Sequence, residues 1–190
     1  MKKKEYYSIG IMSGTSLDGL DFSLIKTDGK LDITIIKNLY FSFNGTFIYK
    51  IKSLIDNFNN YNDEKIFKSY DFIEINKKFS EIIIEKTQIF LDFIDLEKTQ
   101  IDVLGIHGIT LLHSPKKQIS IQLGDSALIS QALQLKVISN FRINDIKNGG
   151  QGAPLVPIYH QSIFSKKNKN IIVVNIGGIS NYTLMQGDNY

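Results

Sequence analysis

Two segments near the ends of the sequence place glycine beside serine, threonine or asparagine, between apolar runs. The first is Gly14 to Asp21, and the second runs from Asn175 to Asn181. Glycine lets a ligand approach the backbone closely, and loops of this kind expose N–H groups that bind phosphate. Each segment also fits an ordinary β-hairpin with polar turn residues. If the two faced each other across a cleft, they would hold a polyphosphate from both sides.

Asp18 is the candidate metal ligand in the first segment. A carboxylate oxygen suits Mg²⁺, which it binds directly or through water. The glycine spacing matches neither the phosphate loop of the P-loop proteins nor the dinucleotide fingerprint. The alternative is that Asp18 and Gly19 are simply the turn residues of a hairpin.

Polar residues also follow three apolar strand patterns, where α/β sheets place ligand-binding groups. Arg142 suits a carboxylate or phosphate, and Asp145 suits the role of a general base. The alternatives are a structural histidine at each of His107 and His113 and a local ion pair between Arg142 and Asp145. The candidates at the three strand ends are His107, then Gln122 and Asp125, then Arg142 and Asp145.

The order of periodic patterns predicts an antiparallel meander followed by alternating helices and strands, which is an α/β chain with a mixed sheet. Helical spacing covers about 46–58, 64–95, 126–135 and a stretch after Pro157. Strand patterns cover 6–12, 20–27, 31–43, 101–106, 119–123, 137–141 and the two arms of the second hairpin.

Composition excludes several classes of protein. The 190 residues include no cysteine, so disulfide frameworks and thiolate chemistry are absent. The formal net charge of +3 gives no argument for nucleic-acid binding, and Arg142 is the one arginine among 22 basic residues. No apolar run approaches the roughly 20 residues of a membrane span, and the apolar segment after the N-terminal lysines has a strand pattern, so we expect a cytoplasmic protein.

Six motifs, taken together and in order, resemble the anhydro-N-acetylmuramic acid kinases over essentially the whole sequence. They are Met12–Asp21, His107–Gly108, Gln122–Asp125, Phe141–Asp145, Gly149–Pro157 and Asn175–Asn181. The resemblance implies the actin-like ATPase fold, with two ribonuclease-H-like domains around a nucleotide cleft. Residues 1–145 would form the first domain, and 146–190 a hinge, a helix and the first hairpin of an incomplete second domain.

The resemblance also implies a reaction. The enzyme would open the 1,6-anhydro ring of 1,6-anhydro-N-acetylmuramic acid with water and transfer the γ-phosphoryl group of ATP to O6, with Mg²⁺ present. The product would be N-acetylmuramic acid 6-phosphate, within peptidoglycan recycling. The complete protein is expected to be a homodimer.

Site residues carry over by matching position. Asp145 would be the catalytic base that activates water, while His107, Gln122, Asp125 and Arg142 would lie on the sugar side. The residues expected at ATP are Gly14, Thr15, Ser16, Leu17, Asp18, Gly19, Leu20, Asp21, Gly177, Gly178 and Asn181, with Asp18 near Mg²⁺.

Two departures from the family pattern shape the expectations. Ile109 stands where the family has glutamine, which would remove one polar group near the sugar. Family enzymes are about twice as long, so the 190-residue chain is expected to be a fragment without turnover of its own. The alternatives are a kinase for another sugar and a non-catalytic remnant; an open reading frame continuing past Tyr190 would separate the fragment from the remnant.

Overall fold

A computed structural model describes residues 5–30, 32–58, 67–176 and 180–187. Its main feature is a five-stranded mixed sheet with helices against one face, which confirms the predicted α/β class. The strands are β1 (Tyr6–Met12), β2 (Gly19–Thr27), β3 (Ile33–Ser42), β4 (Val103–Ile106), β5 (Ile109–Ser114), β6 (Ile119–Leu123), β7 (Val137–Ile138), β8 (Asn170–Asn175) and β9 (Asn181–Gln186).

The strand order in the main sheet is β3-β2-β1-β4-β7. The first three strands form an antiparallel meander because short turns join them, whereas β4 and β7 lie parallel to β1 after helical crossovers. Two further pairs, β5–β6 and β8–β9, form separate antiparallel hairpins.

Two of the helices begin at residues whose side chains cap them. Asn44 accepts the Phe47 amide at the start of α1, and Ser69 accepts the Phe72 amide at the start of α2. The helices are α1 (Gly45–Phe58), α2 (Tyr70–Asp92), α3 (Ser126–Leu133), α4 (Ile143–Lys147) and α5 (Pro157–Phe164), with short 3₁₀ turns at Lys98–Gln100 and Pro115–Lys117.

The core lies between one face of the main sheet and the helices α1, α2 and α3. Phe22 of β2 contacts the ring of Phe90 on α2 at a centroid distance of 5.3 Å, and Phe79 stacks with Phe47 of α1 at 6.4 Å. Burying these rings removes a large apolar area from water and fixes the helices on the sheet. In the part of the chain that the structure describes, no helix is long and apolar enough to cross a bilayer.

Sequence-based boundaries were wrong at the end of one strand and at the end of one helix. The strand predicted over 137–141 forms a ladder only at Val137–Ile138, since Asn140 takes a left-handed φ of 56° and turns the chain. Helix α3 ends at Leu133 because Gln134 is also left-handed, with φ of 53°. The hairpin strand β5 and the short helix α4 were not predicted. The polar segment at 59–66, included in part in one predicted helix, lies outside the described residues.

The sheet brings three candidate segments to one edge. Strands β1, β4 and β7 are parallel, so the chain leaves each of them at the same side. The His107 amide donates to the Ile11 carbonyl at 3.1 Å, which ties the end of β4 to the end of β1. This edge is where open α/β sheets bind ligands.

Candidate active site

The loop between β1 and β2 presents its polar side chains outward and anchors itself with one leucine. A turn closes where the Leu17 amide donates to the Gly14 carbonyl at 3.2 Å. Leu17 has a left-handed φ of 57° and a buried side chain, while Thr15 and Ser16 are exposed. The loop therefore offers hydroxyl groups and backbone to a ligand at the end of β1.

Two carboxylates lie close together beside this loop. The Ser16 hydroxyl donates to Asp18 Oδ1 at 2.7 Å. Burial raises the pKa of Asp21, and the charge of Asp18 raises it further. Burial also raises the pKa of Tyr40 on β3, with added effects of both carboxylates. A cation placed here would relieve the repulsion between the two acids.

This donor set fits a magnesium ion. Mg²⁺ in phosphate-transferring sites usually takes one or two carboxylates, with phosphate oxygens and water as the other ligands. Asp18 and Asp21 supply that pair. Over the described ranges no three His, Asp or Glu side chains form a metal-binding group.

Leu17 and Leu20 point into the core, so only their backbone is available to a nucleotide. Gly19 is required for packing, because a Cβ there would overlap the Tyr40 ring and the Phe41 carbonyl oxygen. Ser13 was not among the predicted site residues; its hydroxyl is buried at 3% exposure without a hydrogen-bond partner among the described residues. Its place directly before a glycine–hydroxyl loop was the available signal.

His107 and Arg142 are in direct contact. Arg142 Nε donates to His107 Nε2 at 3.1 Å, and His107 Nδ1 lies 2.8 Å from the Gly108 carbonyl. The imidazole must therefore carry its proton on Nδ1 and accept through Nε2. The two residues form a fixed pair at the end of β4.

The backbone of Gly152 links Arg142 to Asp145 by two hydrogen bonds. Arg142 Nη1 donates to the Gly152 carbonyl at 2.7 Å, and the Gly152 amide donates to Asp145 Oδ2 at 2.7 Å. No direct ion pair joins Arg142 to Asp145, so that alternative interpretation was wrong. The structure brings His107, Arg142 and Asp145 together in one hydrogen-bonded chain.

The glycine-rich segment after α4 packs against the Asp145 carboxylate. The Gly150 amide donates to the Asp145 carbonyl at 2.9 Å, and a Cβ on Gly150 would overlap both carboxylate oxygens. Gly152 has a φ of 64°, and a Cβ there would press on Ile146. We name residues 149–152 the glycine clamp. It lies five residues before α5 begins, so the clamp contacts Asp145 and is not the helix N-terminus itself.

Gln122 and Asp125 lie on either side of Gly124, with different surroundings. Gln122 contacts Thr110 across the β5–β6 hairpin and Ser120 two residues earlier on its own strand. Asp125 is the N-cap of α3, where Oδ1 accepts the amides of Ala127 and Leu128 at 3.0 Å each. Its own amide donates to the buried Ser80 hydroxyl of α2 at 2.8 Å. A capping role accounts for Asp125 without a ligand.

Replacing Asp125 with alanine should lower the free energy of unfolding by about 1 kcal/mol, because the first amides of α3 lose their acceptor. Asp125→Ser should restore most of that loss. Urea denaturation of the full-length protein that carries this sequence measures both variants. A normal unfolding free energy together with a raised KM for the sugar would instead make Asp125 a sugar ligand.

Burial lowers the pKa of His107, an effect opposed by the hydrogen bond to Gly108 and assisted by the charge of Arg142. The unfolded histidine titrates near 6.5, so below about pH 6.5 the unfolded state binds more protons than the native state. Stability must therefore fall as the pH drops through this range.

His107→Gln keeps an acceptor for Arg142 without the titration. We expect its unfolding free energy to fall less than that of the unsubstituted protein between pH 7 and pH 5. Urea denaturation at several pH values gives the two curves. If the curves run parallel, His107 does not titrate against the fold.

The second hairpin pairs β8 with β9 and contacts α5. Asn181 is exposed and pairs with Asn175 where the hairpin turns, while Gly177 and Gly178 lie outside the described residues. His160 of α5 contacts Thr183 of β9 at 2.9 Å. Among the described residues no hydrogen bond joins Asn181 to residues 14–21, so a two-sided phosphate site stays a prediction.

Comparison with known proteins settles the family. The family model described as anhydro-N-acetylmuramic acid kinase matches residues 5–190. The chain belongs to the anhydro-N-acetylmuramic acid kinase family. The mixed sheet is consistent with the actin-like ATPase fold of that family.

Curated relatives carry the same family name. The chain is 40% identical over 189 residues to the anhydro-N-acetylmuramic acid kinase of Pelagibacter ubique, covering 98% of this chain and 49% of that protein. It is 36% identical to the enzyme of Rhizobium etli, covering 95% and 50%, and 36% identical to that of Sulfurimonas denitrificans, covering 96% and 47%. The chain thus spans about half the length of the curated relatives it matches.

Proposed function

We propose that the protein containing this chain uses ATP and water to convert 1,6-anhydro-N-acetylmuramic acid to N-acetylmuramic acid 6-phosphate, as part of peptidoglycan recycling in the cytoplasm. The observation that carries the proposal is the family match over residues 5–190, which includes the Asp145 carboxylate contacted by the glycine clamp. Residues 1–145 are assigned to the first domain and 146–190 to the hinge and the start of the second, in a protein that forms a homodimer when complete.

Asp145 is proposed as the general base. Gly152 N–H occupies Oδ2, whereas Oδ1 accepts no hydrogen bond within the described part of the chain, and the residue is exposed. A base must lie about 3 Å from the water it activates. Asp145 takes the proton of the water whose oxygen bonds to the anomeric carbon, and the bond from that carbon to O6 breaks.

The loop of residues 14–21 is proposed to bind the nucleotide, with Asp18 and Asp21 next to Mg²⁺. The Mg²⁺ ion, when bound, neutralises phosphate charge while O6 accepts the γ-phosphoryl group. The loop contributes position and backbone N–H groups, and its exposed hydroxyls at Thr15 and Ser16 add donors. Gly177, Gly178 and Asn181 are proposed for the opposite side of the phosphates.

The structure bears on the alternative of a different sugar. Ile109 prompted that alternative, since the family has glutamine there. Its side chain is 1% exposed and pairs with buried Leu123 on the core side of the hairpin. Because this position does not face solvent, the isoleucine gives no reason to assign another substrate.

The proposal is tested by incubating the full-length protein with ATP, Mg²⁺ and 1,6-anhydro-N-acetylmuramic acid. Mass spectrometry should detect a product that has gained one water and one phosphoryl group, with one ADP formed per product. ADP formed without a phosphorylated sugar, or no reaction at all, would contradict the proposed activity. A panel of other amino sugars, anhydro and free, separates this enzyme from a related sugar kinase.

A further inference from the structure

The β5–β6 hairpin has one apolar and one polar face. The inner face packs in the core through four buried side chains, and α1 and α2 lie against the hairpin. The outer face carries half-buried or exposed polar side chains. The inner residues are Ile109, Leu111, Ile121 and Leu123, and the outer ones are Thr110, His113, Ser120 and Gln122.

A β-bulge is needed to build the outer face. Side chains alternate along a regular strand, so residues three apart, such as Thr110 and His113, would point to opposite sides. The pairing register shifts between Thr110 and Leu112, which places Thr110 opposite Gln122 and His113 opposite Ser120. Bulges often re-aim side chains next to active sites.

The four outer side chains form one hydrogen-bonded row. Gln122 Nε2 donates to Ser120 Oγ at 2.7 Å and lies 3.4 Å from Thr110 Oγ1. His113 Nδ1 is 3.0 Å from the same Ser120 oxygen. The contacts of the described residues leave Gln122 Oε1 and His113 Nε2 without partners, so both remain available to a ligand.

The row begins at the candidate active site. Gly108, directly after His107, has a φ of 76°, and a Cβ there would overlap the Leu123 carbonyl and lie 3.2 Å from Gln122 Cβ. Helix α4, which carries Asp145, packs beside β6. The Gln122 end of the row therefore adjoins His107, and the His113 end leads toward the turn that holds Lys116 and Lys117.

We propose that this outer face binds the polar substituents of the amino sugar. Gln122 and Thr110 offer amide and hydroxyl groups that match an acetamido group. His113 Nε2, with the two lysines three and four residues on, matches the carboxylate of the lactyl ether.

Ser120 is a positioning residue in this proposal. Its oxygen contacts both Gln122 and His113, so it orients the two groups that meet the ligand. The inference rests on the proposed function, because the substituents named are those of the proposed substrate. It adds His113, Thr110 and Ser120 to the residues that choose the substrate.

The test compares 1,6-anhydro-N-acetylmuramic acid with 1,6-anhydro-N-acetylglucosamine, which lacks the lactyl carboxylate. The unsubstituted full-length protein should prefer the first sugar. His113→Ala should lower kcat/KM for the first sugar at least tenfold, mainly through KM. It should leave kcat/KM for the second sugar and the KM for ATP unchanged. Ser120→Ala should give a smaller loss in the same direction.

Thr34→Val on β3 and Ser53→Ala on α1 are controls at exposed positions away from the site. Neither should change kcat/KM for either sugar. Equal losses for both sugars in His113→Ala, unchanged kinetics, or no preference in the unsubstituted protein would overturn the subsite. If the unsubstituted protein phosphorylates neither sugar, the proposed function fails, and the subsite fails with it. Activity that is present but insensitive to His113 overturns the subsite alone.

Discussion

Asp145→Asn is expected to reduce kcat by about 10²–10⁴-fold, the usual contribution of a general base. Asparagine has nearly the same shape and keeps an oxygen for the Gly152 amide, so the glycine clamp should hold its geometry. The amide cannot take up the proton of the attacking water. Steady-state kinetics of the full-length protein measures the loss, and calorimetric titration should show unchanged ATP affinity.

Asp95→Asn provides a matched control, since this carboxylate is exposed in the turn after α2. It should keep full activity. If Asp145→Asn also kept full activity, Asp145 would be removed from the role of base. A large fall in ATP affinity would point instead to a disturbed nucleotide site.

Gly150→Ala is expected to reduce kcat by about 10²-fold, because a displacement of roughly 1 Å at a reacting group has that effect. The added Cβ would occupy the space of the Asp145 carboxylate, and the carboxylate must move. Gly150 has an ordinary backbone φ, so the substitution adds no backbone strain. The free energy of unfolding should change much less than the activation free energy that corresponds to the loss of kcat.

Gly10→Ala is the matched control, since nothing lies within 4 Å of a Cβ at that position. A double-mutant cycle identifies the cause of the loss. If Gly150→Ala acts through Asp145, adding it to Asp145→Asn should cost little further activity. Additive losses would show that Gly150 acts on another group, and normal kcat in Gly150→Ala would show that the clamp does not position the base.

The elements that could be predicted are those in which side-chain alternation and caps agree. The meander of β1, β2 and β3 and the helix α1 are examples, since their apolar periods are regular and Asn44 marks a helix start. The hairpin strand β5 was missed because its bulge breaks the period of two at Leu111. A left-handed residue such as Asn140 shortened a strand that hydrophobicity alone would extend.

The sequence predicted which residue types lie in the candidate site, but not the hydrogen bonds that join them. Polar residues after strands pointed to His107, Arg142 and Asp145, and the structure joins them. Their link runs through the backbone of Gly152, and a main-chain hydrogen bond leaves no mark on residue type. The burial of Ile109 could not be predicted for a related reason, because a motif position does not reveal which face of a strand it occupies.

The hydrogen bond to Asp145 comes from a main-chain amide, and this affects which substitutions the site tolerates. Any residue except proline has the N–H that Gly152 donates, so mutation can hardly delete the donor and can only shift it. Gln151, which is exposed within the clamp, should accept many side chains. Selection on this segment therefore acts on the shape of the backbone, and Gly150 and Gly152 are the positions that must remain glycine.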